Sequence, residues 1–457
     1  MASKRPKKIP QELITLTIEG LSHDGRGIAR QEGKTVFVDG ALTGETVSCQ
    51  YTATHRKFDE VKTIEVIKAV AQRVQPQCEF FGLCGGCSLQ HMSVSAQMDL
   101  KQSTLMEQFA HFGGIENVKI EPPLLADAWH YRRKARLAVR YVHKKGKVLV
   151  GFREKRNHFV ANINDCAILD KRIACLIAPL SEMIGELEAK DQIPQIEVAV
   201  GDDAAALVFR HLVPLTDGDR NKLLSFCKNN KVHCYLQSGG PDTVFKAWPE
   251  TGEERLNYSL PEQQLNFGFH PMDFTQVNAS INEAMIAKAL SWLDLKASDR
   301  VLDLFCGLGN FTLPIARHCR QVIGIEGSEE MVLRGKENAR LNGLENAQFY
   351  AADLYQSFDS VTAFKTWAEP GFDKILLDPP RSGAMELVEN IRQFSAQRIV
   401  YVSCNPATLA RDAGILQQQG YKLLKTGVMD MFPHTTHVES IALFECIDRK
   451  QFKQAVL

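Results

Sequence analysis

From about residue 270 the chain alternates very apolar β-prone runs with helical stretches, giving RVLDLF, QVIGIE, KILLDPP, RIVYVSCNP and IALFECI in turn. Strands this apolar are covered on both faces, and with helices between them they predict a doubly wound parallel sheet. Ligands of such α/β sheets lie beyond the carboxyl ends of the strands. The chemistry of the chain is therefore expected where those strands end.

The first strand, VLDLF, runs into Cys306-Gly307-Leu308-Gly309-Asn310, and FTLPIARH then begins a helix. Glycines there let the backbone approach a ligand closely. A dinucleotide fingerprint needs a third glycine where the chain has Thr312, which disfavours NAD. The next strand ends in Glu326, placed to accept hydrogen bonds from both ribose hydroxyls, and Asp353 follows FYAAD, where a carboxylate can take an adenine amine. With D-x-F-x-G-x-G at 303–309, the segment is similar to a class I S-adenosylmethionine domain.

KILLDPPRSG sets Asp378, Pro379, Pro380 and Arg381 at the same edge, where an extruded base would meet a methyl donor. RIVYVSCNP delivers Cys404 there, and HTTHVES places Glu439 at the start of the last strand. Methyl transfer to nitrogen needs no thiol, because the lone pair attacks directly. Carbon 5 of a pyrimidine becomes nucleophilic only after a thiolate adds to carbon 6, and a base must then remove the carbon-5 proton. Cys404 is the candidate nucleophile, Glu439 the candidate base, and Asp378 a reader of the uracil edge. His434 and His437 either tune Glu439, contact phosphate, or are solvated loop residues.

The front of the chain has a different texture. Net charge is zero, yet residues 1–160 hold 25 basic against 16 acidic side chains. The densest run, His130 to His158, contains Arg132, Arg133, Lys134 and eight further basic residues against Glu154 alone, which suits phosphate contact. After a basic tail (1–10), residues 11–69 alternate short β-prone runs with glycine turns and predict an OB-like barrel of about five strands. Residues 70–267 read as a mainly β central domain, opened by a cysteine loop and a helix over 94–112 that ends at Gly113-Gly114; residues 268–457 are the methyltransferase-like domain. No window approaches 18 uncharged apolar residues, and the basic tail runs into polar sequence, so neither a membrane span nor secretion is expected. A cytoplasmic location follows, with its cysteines reduced.

Cys78, Cys84 and Cys87 form C-x5-C-x2-C with Gly82, Gly85 and Gly86 between and beside them. Zinc and a [4Fe–4S] cluster both accept four thiolates, and spacing leaves the fourth open between Cys166 and Cys175. Cys49, Cys227, Cys234, Cys306, Cys319 and Cys446 read as packing residues.

Taken together, these motifs resemble the bacterial 23S rRNA (uracil-5-)-methyltransferases of the TRAM-domain, iron–sulfur type, over nearly the whole chain. The resemblance implies that FHPMDFTQVN supplies Gln276 to the cofactor and Phe274 to the target base. It implies an S-adenosylmethionine site of Gln276, Phe305, Asn310, Glu326, Asp353 and Asp378. Cys404 would be the nucleophile, Glu439 the base, and Cys78, Cys84, Cys87 and Cys166 the ligands of a [4Fe–4S] cluster. Arg132 and Lys134 are expected on the RNA, and a monomer acting on 23S rRNA is the expectation. The alternatives are a tRNA uracil-5 enzyme, whose relatives lack the barrel and cysteine loop, a cytosine-C5 enzyme, and a non-catalytic iron–sulfur RNA-binding protein.

Overall fold

The structure, a computed structural model, describes residues 9–355 and 371–447. Of the basic tail expected over residues 1–10, all but Ile9 and Pro10 lie outside the described residues. The chain divides into two compact units, one of residues 1–101, 153–159 and 433–436, the other of 102–152, 160–432 and 437–457.

The first unit carries a six-stranded sheet of β1 (Ile14–Thr17), β2 (Gly20–Leu21), β3 (Gly27–Gln31), β4 (Lys34–Asp39), β5 (Thr46–Thr54) and β6 (Phe58–Lys68) in the order β1-β5-β6-β4-β3-β2. The strand beyond the expected five is the two-residue β2. Alternation decides the inner face: Val36 and Val38 of β4 and Val47 and Cys49 of β5 turn inward onto Leu16, Ala29 and Val61. The helix Val94–Gln108 continues as one wider turn over Phe109–Gly113 and stops at Gly114, whose φ is 60°.

The second unit holds β7 (Lys119–Ile120) and a sheet of β8 (Lys134–Val142), β9 (Lys147–Gly151), β10 (Gln195–Val200), β11 (Ala205–Arg210), β12 (His233–Gln237) and β13 (Val244–Trp248), ordered β13-β12-β11-β10-β8-β9. Strands β8/β9 and β10/β11 form antiparallel hairpins, and the parallel pair β11/β12 is joined through the helix Asp217–Asn229. A two-stranded hairpin, β14 (Leu256–Leu260) and β15 (Leu265–Phe269), follows.

Then come β16 (Arg300–Leu304), β17 (Gln321–Glu326), β18 (Ala347–Ala351), β19 (Lys374–Leu377), β20 (Arg398–Ser403), β21 (Tyr421–Met429) and β22 (Glu439–Cys446). With β7 they form one sheet ordered β18-β17-β16-β19-β20-β22-β21-β7. Strands β16 to β20 are mutually parallel, as expected. The last strand departs from the all-parallel expectation, because β22 is antiparallel to both β20 and β21. Residues 430–438 are too short for a parallel crossover, which takes about a dozen residues or more. The order reverses between β16 and β19, so the crevice opens at their carboxyl ends.

The helix Glu329–Leu341 packs on this sheet through Gly335, where an added Cβ would stand 2.6 Å from the Phe349 ring. Gly335→Ala is expected to lower the melting temperature. Overpacking costs about 1–3 kcal/mol, against the roughly 1 kcal/mol that alanine gains over glycine in a helix. A thermal melt at or above the unsubstituted value would show the ring yielding instead.

Candidate active site

A cavity of about 570 Å³ lies at the carboxyl ends of β16, β17, β19 and β20. It is lined by Phe274, Gln276, Phe305, Asn310, Glu326, Asp353, Asp378, Cys404 and Glu439. The sequence motifs mark Glu326, Asp353, Asp378, Cys404 and Glu439, and the family resemblance adds Phe274, Gln276, Phe305 and Asn310.

One end of the cavity is shaped by the turn after β16. Phe305, Gly307 and Gly309 have φ of 65°, 54° and 97°. A Cβ on Gly309 would reach Phe349 at 3.0 Å, so glycine is required there for both conformation and space. The Glu326 carboxylate accepts from the Gly307 N–H and the Ser328 N–H, each at 3.1 Å, which fixes it with lone pairs to spare for a ligand. Asn310 is held by neighbours that the sequence did not reveal: its Oδ1 accepts from the Tyr258 hydroxyl (2.9 Å) and Asn282 Nδ2 (3.1 Å), while its own Nδ2 donates to Asn282 Oδ1 (2.8 Å). Tyr258 comes from the β14–β15 hairpin and stacks on Phe267 with centroids 4.7 Å apart. Asp353 Oδ1 accepts from the Tyr355 N–H at 3.0 Å. Beneath the turn, Asp303 is fully buried against the Thr312 hydroxyl (2.5 Å), and burial pushes its carboxyl up to about 8.

The other end holds the candidate chemistry. Asn405 caps the helix Pro406–Gln418 through its side chain, and Pro406 takes the first helical position, where no N–H is needed. The Ser403 hydroxyl donates to Asn405 O and accepts from Asn405 N, so Cys404 stands in a turn locked on both sides. Asn405 Nδ2 donates to Arg381 O at 2.9 Å, tying this turn to the Asp378–Arg381 loop. In the antiparallel ladder Ser403 of β20 pairs with Ser440 of β22. The ladder ends at that pair; Cys404 directly follows Ser403, and the buried Glu439 directly precedes Ser440, with both side chains lining the cavity. Burial, then the carboxylates of Glu439 and Asp378, push the Cys404 thiol up to about 11, with Arg381 acting in the opposite direction. Burial raises Asp378 to about 7. Phe274 is 72% exposed at the cavity, an unusual position for an unpartnered aromatic.

Arg132 and Lys134 do not line this cavity. Arg132 Nε donates to Lys134 O, and the Lys134 ammonium donates to the carbonyls of Pro271 and Asp273. Burial lowers Lys134 to about 8 against the pull of Asp273 and Glu197. The basic run also finds acids distant in sequence: Arg133 pairs with Asp202, Arg136 with Glu197 and Lys155 with Asp39. Arg140, Lys144, Lys145 and Lys147, on and beside the β8–β9 turn, are exposed.

In the first unit the cysteine loop carries Cys78, Cys84 and Cys87, none of them in a disulfide. The Gly86 N–H points at Cys84 Sγ (3.4 Å), and burial, with Cys78 adding to it, raises the Cys84 thiol. Gly85 lies against the Arg153 carbonyl, which a Cβ would meet at 3.0 Å. The His91 ring is buried against Phe81 with both nitrogens unsatisfied. In the second unit Cys166 is buried and Cys175 exposed. Among the described residues, no group of three or more His, Cys, Asp or Glu side chains is gathered closely enough to hold a metal ion, and no helix is long and apolar enough to cross a membrane.

The family described as tRNA (Uracil-5-)-methyltransferase matches residues 93–447, and the TRAM domain matches residues 10–58. A protein of Hahella chejuensis named 23S rRNA (uracil(1939)-C(5))-methyltransferase RlmD is 54% identical over 97% of this chain and 99% of its own. One of the same name from Alcanivorax borkumensis is 52% identical over 98% of this chain and all of its own. Among solved structures, the Pyrococcus abyssi tRNA (uracil-54, C5)-methyltransferase in complex with S-adenosyl-L-homocysteine shares the fold. Its TM-score is 0.71 at 24% identity, covering 94% of this chain and 100% of that one.

Proposed function

The chain belongs to the tRNA (uracil-5-)-methyltransferase family, and from that membership we propose that it methylates carbon 5 of a uracil in 23S rRNA, the base numbered 1939 in its relatives' names. The observation that carries the chemistry is the ladder step that sets Cys404 beside Glu439, in the cavity that also holds Asp378 and Glu326.

S-adenosylmethionine supplies the methyl group as an electrophile. The left-handed turn after β16 fits it by giving close backbone approach, Glu326 by its remaining lone pairs toward ribose hydroxyls, and Asn310 by its second Nδ2 hydrogen. Phe305, Asp353 and Gln276 complete this reading of the site. Phe274 stacks on the extruded uracil and Asp378 reads its edge. Raised to about 7, Asp378 is poised between donor and acceptor forms. The Cys404 thiolate adds to carbon 6, carbon 5 takes the methyl group, and Glu439 then accepts the carbon-5 proton as the Cys404–carbon-6 bond breaks and the thiolate leaves.

The finer architecture belongs to the same proposal. Residues 11–69 act as an OB-like RNA-binding barrel, 70–267 as the central domain and 268–457 as the methyltransferase domain. Arg132, with the exposed β8–β9 residues, faces RNA in a cytoplasmic, monomeric enzyme. We place a [4Fe–4S] cluster on Cys78, Cys84, Cys87 and Cys166. The thiolate-only donor set, the Gly86 N–H aimed at Cys84 Sγ and the unsatisfied His91 beside the loop support it. No step of the reaction runs through it.

The test is incubation of anaerobically purified protein with methyl-labelled S-adenosylmethionine and unmodified 23S rRNA or tRNA, alongside iron and sulfide analysis. Label in 5-methyluridine of 23S rRNA is expected. Label confined to tRNA would overturn the substrate, and label in 5-methylcytosine the target base.

A further inference from the structure

The sequence had offered Lys134 to the RNA because it lies in the densest basic run. We propose instead that Lys134 is a positioning residue, a latch that holds the loop His270–Gln276 so that Phe274 stands over the target base; this rests on the methyltransferase reading of the cavity. Phe274 is 72% exposed, and no packing of its own ring explains why it stands where it does. Its neighbours explain it. The Lys134 ammonium donates to the main-chain carbonyls of Pro271 (2.8 Å) and Asp273, gathering the turn from one side. From the other side, the Asp273 carboxylate accepts from Arg334 Nε (2.8 Å) and from the His270 N–H (2.7 Å), and this ion pair is buried. The backbone leading into β8 is bonded to the segment that follows the loop, Arg133 N donating to Val277 O at 2.8 Å. Thus the loop is clamped between β8 and the helix Glu329–Leu341 on both sides of Asp273, and Phe274 is the next residue.

Two carbonyl acceptors occupy the ammonium, so little of it remains for phosphate. Lysine suits this place because its compact, rotatable ammonium carries three donors, enough for both carbonyls. Removing it frees the turn, and an aromatic platform displaced by about 1 Å loses on the order of 10²-fold in a well-positioned reaction.

The experiment measures the rate of denaturation-resistant adduct formation with 5-fluorouridine-substituted 23S rRNA, together with RNA affinity over a range of salt. Lys134→Met and Phe274→Ala are each expected to slow the adduct by at least about tenfold, and the double variant to be no slower than the worse single one, because both act through one contact. The slope of log affinity against log salt should equal that of the unsubstituted protein. Lys134→Arg and Lys134→Gln, each of which keeps N–H donors for the carbonyls, are expected to recover part of the rate that Lys134→Met loses. The Arg and Gln pair carries the comparison should the Met variant not fold. Multiplicative losses in the double variant would overturn the latch. So would a slope reduced by about one charge in Lys134→Met and restored in Lys134→Arg, since that is the signature of a phosphate contact.

Discussion

Cys404→Ala leaves S-adenosylmethionine binding in place and abolishes methyl transfer, with the rate on unmodified 23S rRNA falling on the order of 10⁴-fold or more. The size of the loss follows from the chemistry: without addition at carbon 6, carbon 5 of uracil has no electron pair to offer, and no other thiol lines the cavity except Cys306. Cys306 cannot substitute. It is buried, only 6% exposed, and burial followed by the carboxyls of Asp303 and Glu326 raises its thiol far above the usual range. The fluorinated adduct should likewise be absent. In the unsubstituted protein the rate of that adduct should climb from pH 7 to pH 9, because the attacking form is the thiolate and Cys404 titrates near 11 without its ligands. A flat profile would mean that the arriving cofactor and RNA bring the thiol well below 7. Residual methylation by Cys404→Ala above about one part in a thousand would refute covalent catalysis.

Glu439→Gln should fail at a different point. Addition and methyl transfer need no base, so one methyl group moves, and the protein then stays attached to its product because the carbon-5 proton is not removed. The expected result is a denaturation-resistant complex with ordinary, unfluorinated 23S rRNA, carrying label from the methyl donor, with turnover down by about 10²–10⁴-fold. The unsubstituted protein is expected to form no such lasting complex, because it completes the elimination. Removing the carboxylate also relieves one of the charges that raise Cys404, so adduct formation with fluorinated RNA should be no slower and should shift to lower pH. Free methylated RNA released at the normal rate would remove Glu439 from the role of base. A slow adduct instead would place it before methyl transfer.

The residues legible in the sequence share one physical trait, which is that they leave strands. A parallel sheet brings its carboxyl ends to a common edge whatever the loops do, so Glu326, Asp353, Asp378 and Cys404 could be assigned to one site from strand patterning alone. Glu439 was legible for the opposite geometric reason, since β22 is reversed and its beginning meets that edge. The reversal itself was not read, because IALFECI is as apolar as its parallel neighbours and only the shortness of 430–438 distinguishes it. Tyr258 and Asn282 were not legible either. Each comes from an element remote from the glycine turn, and their value lies in a tertiary contact to Asn310 that no spacing encodes. Lys134 was read as a surface cation because composition counts charges within a window, while the acids and carbonyls that engage the basic run lie 60 to 140 residues away. The same holds for Arg133, Arg136 and Lys155, so the proposed phosphate contact falls to the exposed Arg140, Lys144, Lys145 and Lys147.

The pairing of Ser403 with Ser440 also governs how this chemistry can be inherited. The proposed nucleophile directly follows Ser403 and the proposed base directly precedes Ser440, so main-chain pairing sets their separation more than the side chains that surround them. Drift in the lining would alter which base is accepted while leaving the two halves of the reaction in step. A slip of a single rung would turn Glu439 to the opposite face of the sheet and end catalysis outright, with every catalytic side chain still present. In a lineage built on this frame, insertions within β20 or β22 should therefore be rarer than replacements at the cavity positions other than Cys404 and Glu439.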